Sequence, residues 1–220
     1  MKLKGIIFDF DGTLFDSMYI WDTAGETYLR SLGKAPQPSL REAVKTMSLR
    51  QSACYLQEEY ALDLSVEEII QGINQTIEHF YLNEVQPKAG VSDFLKQLAE
   101  AGVSMCIATA TDRYQIQAAL QRCGMEGLFS AIFTCSEVGR GKDEPLIYRK
   151  AMDSLRTDRS NTIIFEDAYH AALTAKSDGF LTAGVFDSSE SRQEALRDLC
   201  DCYLSDFTHT EPFWKLASAL

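Results

Sequence analysis

Two aspartates two positions apart, Asp9 and Asp11, follow directly on the apolar run Gly5-Ile6-Ile7-Phe8 and precede Gly12-Thr13-Leu14. A short apolar run of this kind predicts a strand, so both acids fall at its carboxyl end or just beyond. Alternation along a strand turns residues i and i+2 to the same side, which lets two carboxyl groups converge on one site. Gly12 permits a sharp departure from the strand. Two such acids do not both stay ionised cheaply unless a cation joins them or one keeps its proton. Either outcome suits phosphoryl chemistry: one carboxylate attacks phosphorus, a hard cation screens charge, and the other acid protonates the leaving oxygen. A calcium loop is a poorer reading, because it needs Gly at its sixth position, a terminal Glu and a preceding helix. A plain Asp-Gly turn stays open on these residues alone.

The segment Asp9-Phe10-Asp11-Gly12-Thr13-Leu14 resembles the first motif of the haloacid dehalogenase-like hydrolase superfamily, and three later segments resemble the other motifs in order. Val103-Ser104-Met105-Cys106-Ile107-Ala108 ends in Thr109-Ala110-Thr111. The resemblance implies that the Thr109 hydroxyl and a backbone N–H at Ala110 hold phosphoryl oxygens. Lys142, within Gly139-Arg140-Gly141-Lys142-Asp143-Glu144-Pro145, matches the lysine that neutralises nucleophile and phosphate. A Walker loop does not fit there, since Asp143 stands where Ser or Thr must follow the lysine. Thr162-Ile163-Ile164-Phe165 ends in Glu166-Asp167, similar to the acidic pair that holds Mg²⁺. The implied metal set is Asp9, the backbone carbonyl of Asp11, Asp167, and Glu166 directly or through water. Ala168 and Ala171 replace the small polar residue and Gly usual in the family, so the adjoining loop is less typical.

Within such a family, an aspartate two positions after the nucleophile implies phosphate-ester chemistry, with Asp9 as nucleophile and Asp11 as general acid and base. The expected activity is hydrolysis of a small phosphorylated metabolite, a sugar phosphate among the candidates. A β-phosphoglucomutase-like phosphomutase is the alternative. Against it, no His follows the first motif in Asp16-Ser17-Met18-Tyr19-Ile20-Trp21-Asp22. The stretch Lys45-Thr46-Met47-Ser48-Leu49-Arg50 also departs from the mutase pattern, although Arg50 stands one position from the mutase arginine. A non-catalytic phosphate-ligand binding protein is a remote third reading, motivated only by Ala168 and Ala171. Phe15, Tyr19 and Trp21 are expected in the core of the inserted unit rather than at a substrate. His79, His170 and His209 are dispersed and form no constellation.

These residues need elements to hold them. Strands are predicted at 5–8, 103–109, 131–134, 162–166, 181–186 and 202–205. Helices are predicted between them at 91–101, 113–123, 144–155, 169–177 and 190–199, from apolar residues at three- and four-residue spacing. The alternation implies βαβ units and a parallel sheet covered on both faces, with ligands at the carboxyl ends of its strands. Residues 16–86 carry helix signals only, at 19–31, 40–47, 52–60 and 66–82, with a capping box opening at Ser65. The expectation is an α/β fold: a Rossmann-like parallel-sheet core over 1–15 and 87–220, with an all-helical cap over 16–86.

A chain of 220 residues suffices for one such core and a small accessory unit. The net charge of −11 opposes nucleic acid and anionic membranes, and obliges a phosphate site to carry its own positive charge. No apolar run is long enough to span a bilayer, no signal peptide is evident, and a cytoplasmic location is the default expectation. The six cysteines lack zinc spacing and are expected as reduced, buried thiols. Nothing signals an oligomer, and a monomer is compatible with the sequence.

Overall fold

The apolar runs pair into one sheet because each is too short and too apolar to stand alone. The computed structural model describes residues 3–44, 47 and 49–220. The chain enters through β1 (Gly5–Phe8), then passes through four helices: α1 (Met18–Ser31), α2 (Leu40–Val44), α3 (Leu49–Glu59) and α4 (Val66–Asn83). It continues through α5 (Val91–Glu100), β2 (Ser104–Thr109), α6 (Arg113–Arg122), β3 (Ala131–Thr134) and the single turn α7 (Cys135–Val138). Then come α8 (Leu146–Leu155), β4 (Thr162–Glu166), α9 (Tyr169–Ser177), β5 (Leu181–Val185), α10 (Gln193–Leu199), β6 (Cys202–Leu204) and α11 (Glu211–Ala219). The six strands are all parallel, in the order β3-β2-β1-β4-β5-β6. No helix among the described residues is long and apolar enough to cross a membrane.

Successive residues of the central strands go to opposite faces. On one face Phe8 of β1 and Phe165 of β4 lie with ring centroids 4.7 Å apart, beneath Phe94 of α5 and Phe213 of α11. On the other, Ile7 and Ile164 pack with Ile147, Tyr148 and Ala151 of α8. Burying each such side chain stabilises the fold by roughly 1.5–3 kcal/mol. The sequence reading does not anticipate α11. Its signals are Pro212 in the first turn and Phe213 with Ala217 at helical spacing, both fully buried.

Two compact units result, an α/β unit running up to Asp16 and again over Val85–Leu220, and a helical unit over Ser17–Glu84. Asp16, Val85 and Gln86 group with the sheet rather than with the helices. The Asp16 N–H donates to the Gln86 carbonyl at 3.0 Å, and the Lys88 N–H to that of Leu14 at 2.9 Å, so the two connecting segments pair with each other. In the helical unit, Ser65 and Glu68 form the expected capping box, the Glu68 N–H donating to Ser65 Oγ at 3.2 Å. Ile69, Ile73, Ile77 and Tyr81 of α4 make its buried face, and Trp21 Nε1 donates to the Tyr81 hydroxyl at 3.2 Å.

Several expectations shift. Of the helix predicted over 40–47, α2 covers Leu40–Val44 and residues 45 and 46 lie outside the described residues, as does 48, while α3 already includes Leu49, ahead of the predicted start at Ser52. The helix predicted from Glu144 begins at Leu146, after Pro145. Phe15 belongs to the α/β unit, buried and stacked on Phe10 at 4.2 Å, and Tyr19 is about half exposed, so neither is a core residue of the helical unit. All six cysteines are free thiols, yet only Cys106 and Cys202 are buried, because the others lie on helices or at strand ends near the surface.

Gly90 opens α5 at φ +83°, and a Cβ there would lie 2.4 Å from the Phe207 carbonyl carbon. Both the left-handed backbone and the backbone contact oppose a side chain, so Gly90→Ala is expected to cost more than about 2 kcal/mol of stability in urea titrations.

Candidate active site

Register delivers the acids to one place. Phe8 pairs with Phe165, and the Asp9 N–H extends that ladder by donating to the Phe165 carbonyl at 3.0 Å. Asp9 therefore comes level with Glu166 at the carboxyl end of the neighbouring strand. On its other side β1 pairs with β2, Phe8 opposite Ile107, which brings Thr109 toward the loop after Asp9. That loop is tight: the Leu14 and Phe15 N–H groups both donate to the Phe10 carbonyl, and Gly12 takes φ +74° to allow it.

Asp9, Glu166 and Asp167 are buried, and each can offer a carboxylate oxygen within 4.8 Å of the others. The Lys142 ammonium, from the turn before α8, bridges two of them, contacting Asp9 Oδ1 and lying 2.8 Å from Glu166 Oε1. Tyr148, fully buried on α8, donates its hydroxyl to the same Glu166 oxygen at 2.7 Å. Thr13 Oγ1 donates to Asp167 Oδ1 at 3.0 Å. Burial pushes the Asp9 carboxyl up to about 6, against the pull of Lys142. Burial, with Asp9 and Glu166 nearby, holds Asp167 well above the usual carboxylate range. Burial alone would lower the Lys142 pKa, but Asp9 and Glu166 more than reverse it, so the ammonium stays charged.

One ammonium against three buried carboxylates leaves negative charge uncompensated, and Glu166 Oε2 is buried with no hydrogen-bond partner. An orphaned carboxylate oxygen beside two further carboxylates is a donor set of hard oxygens, which fits a hard divalent cation. Asp11 stands apart from this acidic group. Its carboxylate turns to the end of β2, where Oδ2 accepts from Thr111 Oγ1 at 2.6 Å and from Thr109 Oγ1 at 3.5 Å. Asp9 and Asp11 both lie beyond the strand, so the expected strand alternation does not orient them, and the loop sends their carboxylates to different neighbours.

The sequence-derived residues Asp9, Lys142, Glu166 and Asp167 come together, and Asp11 joins Thr109 beside them. Ala110 lies exposed directly beyond β2. Thr13, Thr111 and Tyr148 are missed by sequence reasoning. Thr13 and Thr111 sit inside the quoted motifs, but nothing in the local sequence marks them there, and nothing singles out Tyr148. Arg50 is exposed on the helical unit and paired with Glu67 at 2.8 Å, while Lys45, Thr46 and Ser48 lie outside the described residues.

A family model described as haloacid dehalogenase-like hydrolase matches residues 6–185. The chain is 23% identical over 177 residues to a phosphorylated carbohydrates phosphatase of Thermotoga maritima, covering 80% of this chain and 82% of that protein. Among solved structures, CbbY of Rhodobacter sphaeroides in complex with phosphate is similar, with a TM-score of 0.78 and 20% identity over 95% of this chain and 96% of that one. So is the beta-phosphoglucomutase of Clostridium difficile, with a TM-score of 0.72 and 16% identity over 99% and 98%. At these identities the two structures speak for the fold alone.

A folded-state value near 6 for Asp9, above the ordinary 3.8, means that the folded chain holds the extra proton. The stability this gives is fully present below about pH 4 and is lost as pH rises through about 6. Without metal, Asp9→Asn is therefore expected to gain on the wild type by on the order of 2 kcal/mol between pH 4 and pH 7. Urea titrations in EDTA at both pH values check this, and parallel pH curves would contradict it.

Proposed function

Because the chain belongs to the haloacid dehalogenase-like hydrolase family and is a phosphatase of that type, we propose that it hydrolyses the phosphate monoester of a small metabolite at Asp9. The observation that carries this reading is the buried Asp9–Glu166–Asp167 group bridged by Lys142, at the carboxyl ends of adjacent strands. Such a site has a nucleophile, a fixed cation and an acidic set suited to a metal, and these are the requirements of phosphoryl transfer.

In this reading an Asp9 oxygen attacks phosphorus in line with the ester oxygen. The ester P–O bond breaks, its electron pair goes to the departing oxygen, and Asp11 gives that oxygen a proton. Asp11, now a carboxylate, takes a proton from water as the water attacks the phosphorus of the aspartyl phosphate. Asp9 then leaves as a carboxylate, and inorganic phosphate is released. Lys142 shares its charge between Asp9 and the phosphoryl oxygens. The Thr109 hydroxyl, only 3.5 Å from Asp11 and so weakly engaged, turns with the Ala110 N–H to those oxygens. Mg²⁺, held by Asp9, the Asp11 carbonyl and Asp167, with Glu166 directly or through water, would supply the charge that offsets the carboxylates and steadies the phosphoryl group. In this reading the helical unit over Ser17–Glu84, inserted after β1, serves as the cap.

The substrate class follows the same reasoning. The matched Thermotoga maritima relative is named for phosphorylated carbohydrates, and a phosphorylated sugar is the first ester to test. The phosphomutase alternative shares this fold with the beta-phosphoglucomutase of Clostridium difficile, and hydrolysis is preferred because Arg50, its one candidate for gripping a sugar phosphate, is paired with Glu67.

A panel of phosphate esters is expected to yield inorganic phosphate from at least one sugar phosphate. Asp9→Asn should lower turnover by at least about 10³-fold. Stripping divalent ions with EDTA should abolish turnover and added Mg²⁺ restore it. Glucose 6-phosphate formed from β-glucose 1-phosphate and a bisphosphate primer, without released phosphate, would overturn hydrolysis in favour of transfer.

A further inference from the structure

Beyond β2 the backbone turns outward at Ala110 and back inward at Thr111, which is buried although it lies outside the strand. The Thr111 hydroxyl donates to Asp11 Oδ2 at 2.6 Å, at the short end of the O–H···O range. Its backbone N–H in turn donates to Thr109 Oγ1 at 3.1 Å. Thr111 is thus held at the backbone and presents its side chain to a carboxylate on the tight loop after β1. Thr109 approaches the same oxygen only at 3.5 Å, too long to fix its orientation.

We propose that Thr111 is a positioning residue for Asp11, setting the plane of its carboxyl group so that the proton for the leaving oxygen is presented from Oδ1. The inference rests on the assignment of Asp11 as general acid. A hydroxyl that donates to Oδ2 occupies that oxygen as an acceptor, and the transferable proton then resides on Oδ1. Loss of the hydroxyl takes the 2.6 Å donor from Oδ2, and the carboxyl plane then departs from the one that presents the proton to the ester. The cost falls on substrates whose leaving oxygen must be protonated as it departs.

This gives a signature that neither a structural role nor a role in holding phosphate reproduces. Phenyl phosphate releases a phenol of pKa about 10 and needs the proton, whereas 4-nitrophenyl phosphate, nearly the same in shape, releases a stabilised phenolate. The comparison is made in kcat/KM, which covers steps only up to departure of the leaving group. Thr111→Val, close in shape and lacking the hydroxyl, is expected to lose about tenfold more on phenyl phosphate than on 4-nitrophenyl phosphate, a modest share of what general acids contribute. Thr111→Ser is expected to restore the ratio. Equal losses on the two esters, or no loss on either, would overturn the proposal, and so would failure of Ser to restore the ratio. Asp11→Asn, assayed alongside, separates the levels. If it too loses both esters equally, the assignment of Asp11 as acid falls, and this inference with it. If Asp11→Asn discriminates and Thr111→Val does not, only the role of Thr111 falls.

Discussion

The contact of the Lys142 ammonium with Asp9 and Glu166 is the interaction on which the rest of the site depends. Three carboxylates in a buried group repel one another strongly, and removing a single partner from a buried pair typically costs about 3–5 kcal/mol. Lys142 makes the arrangement foldable without neutralising it. The residual negative charge and the orphaned Glu166 oxygen keep the site receptive to a divalent cation. A site fully neutralised by protein groups would have no such demand.

The parallel sheet exists, in functional terms, to bring these charges together. With β1 between β2 and β4, three strand ends open on one side, and each contributes a different group. β1 supplies Asp9 and the loop bearing Asp11, β2 the threonines, and β4 the acidic pair. The aromatic packing of Phe8, Phe94, Phe165 and Phe213 fixes the β1–β4 register from beneath. A one-residue slip there would turn Asp9 away from Glu166. Tyr148 joins core to site directly: its ring is part of the apolar cluster under α8, while its hydroxyl holds Glu166.

Much of this is legible in the sequence, for identifiable reasons. Strands β1, β3 and β4 are apolar runs bounded by polar residues, and the signals of α4 and α9 are local, so these elements are readable directly. The residues that bear charge at strand ends are readable for the same reason. What escapes depends on tertiary partners. Tyr148 looks like any core tyrosine until β4 places a carboxylate above it, and Thr111 like any residue beyond a strand until the Gly12 loop returns Asp11 to it. The α11 helix is short, and its apolar residues gain meaning only against Phe94 and Phe165. Phe15, the last residue of the first core segment, reads as packing into the insertion because the pairing of the two connecting segments is invisible in the order of residues.

In the proposed reaction the Asp9 carboxylate, held by Lys142 beside its acidic neighbours, accepts the phosphoryl group. The most direct test is acid quenching of the enzyme during steady turnover of a phosphate ester, followed by mass spectrometry of its peptides. One added phosphoryl group is expected, located on Asp9 and absent once the substrate is exhausted. A phosphoryl group on any other residue would contradict this role of Asp9.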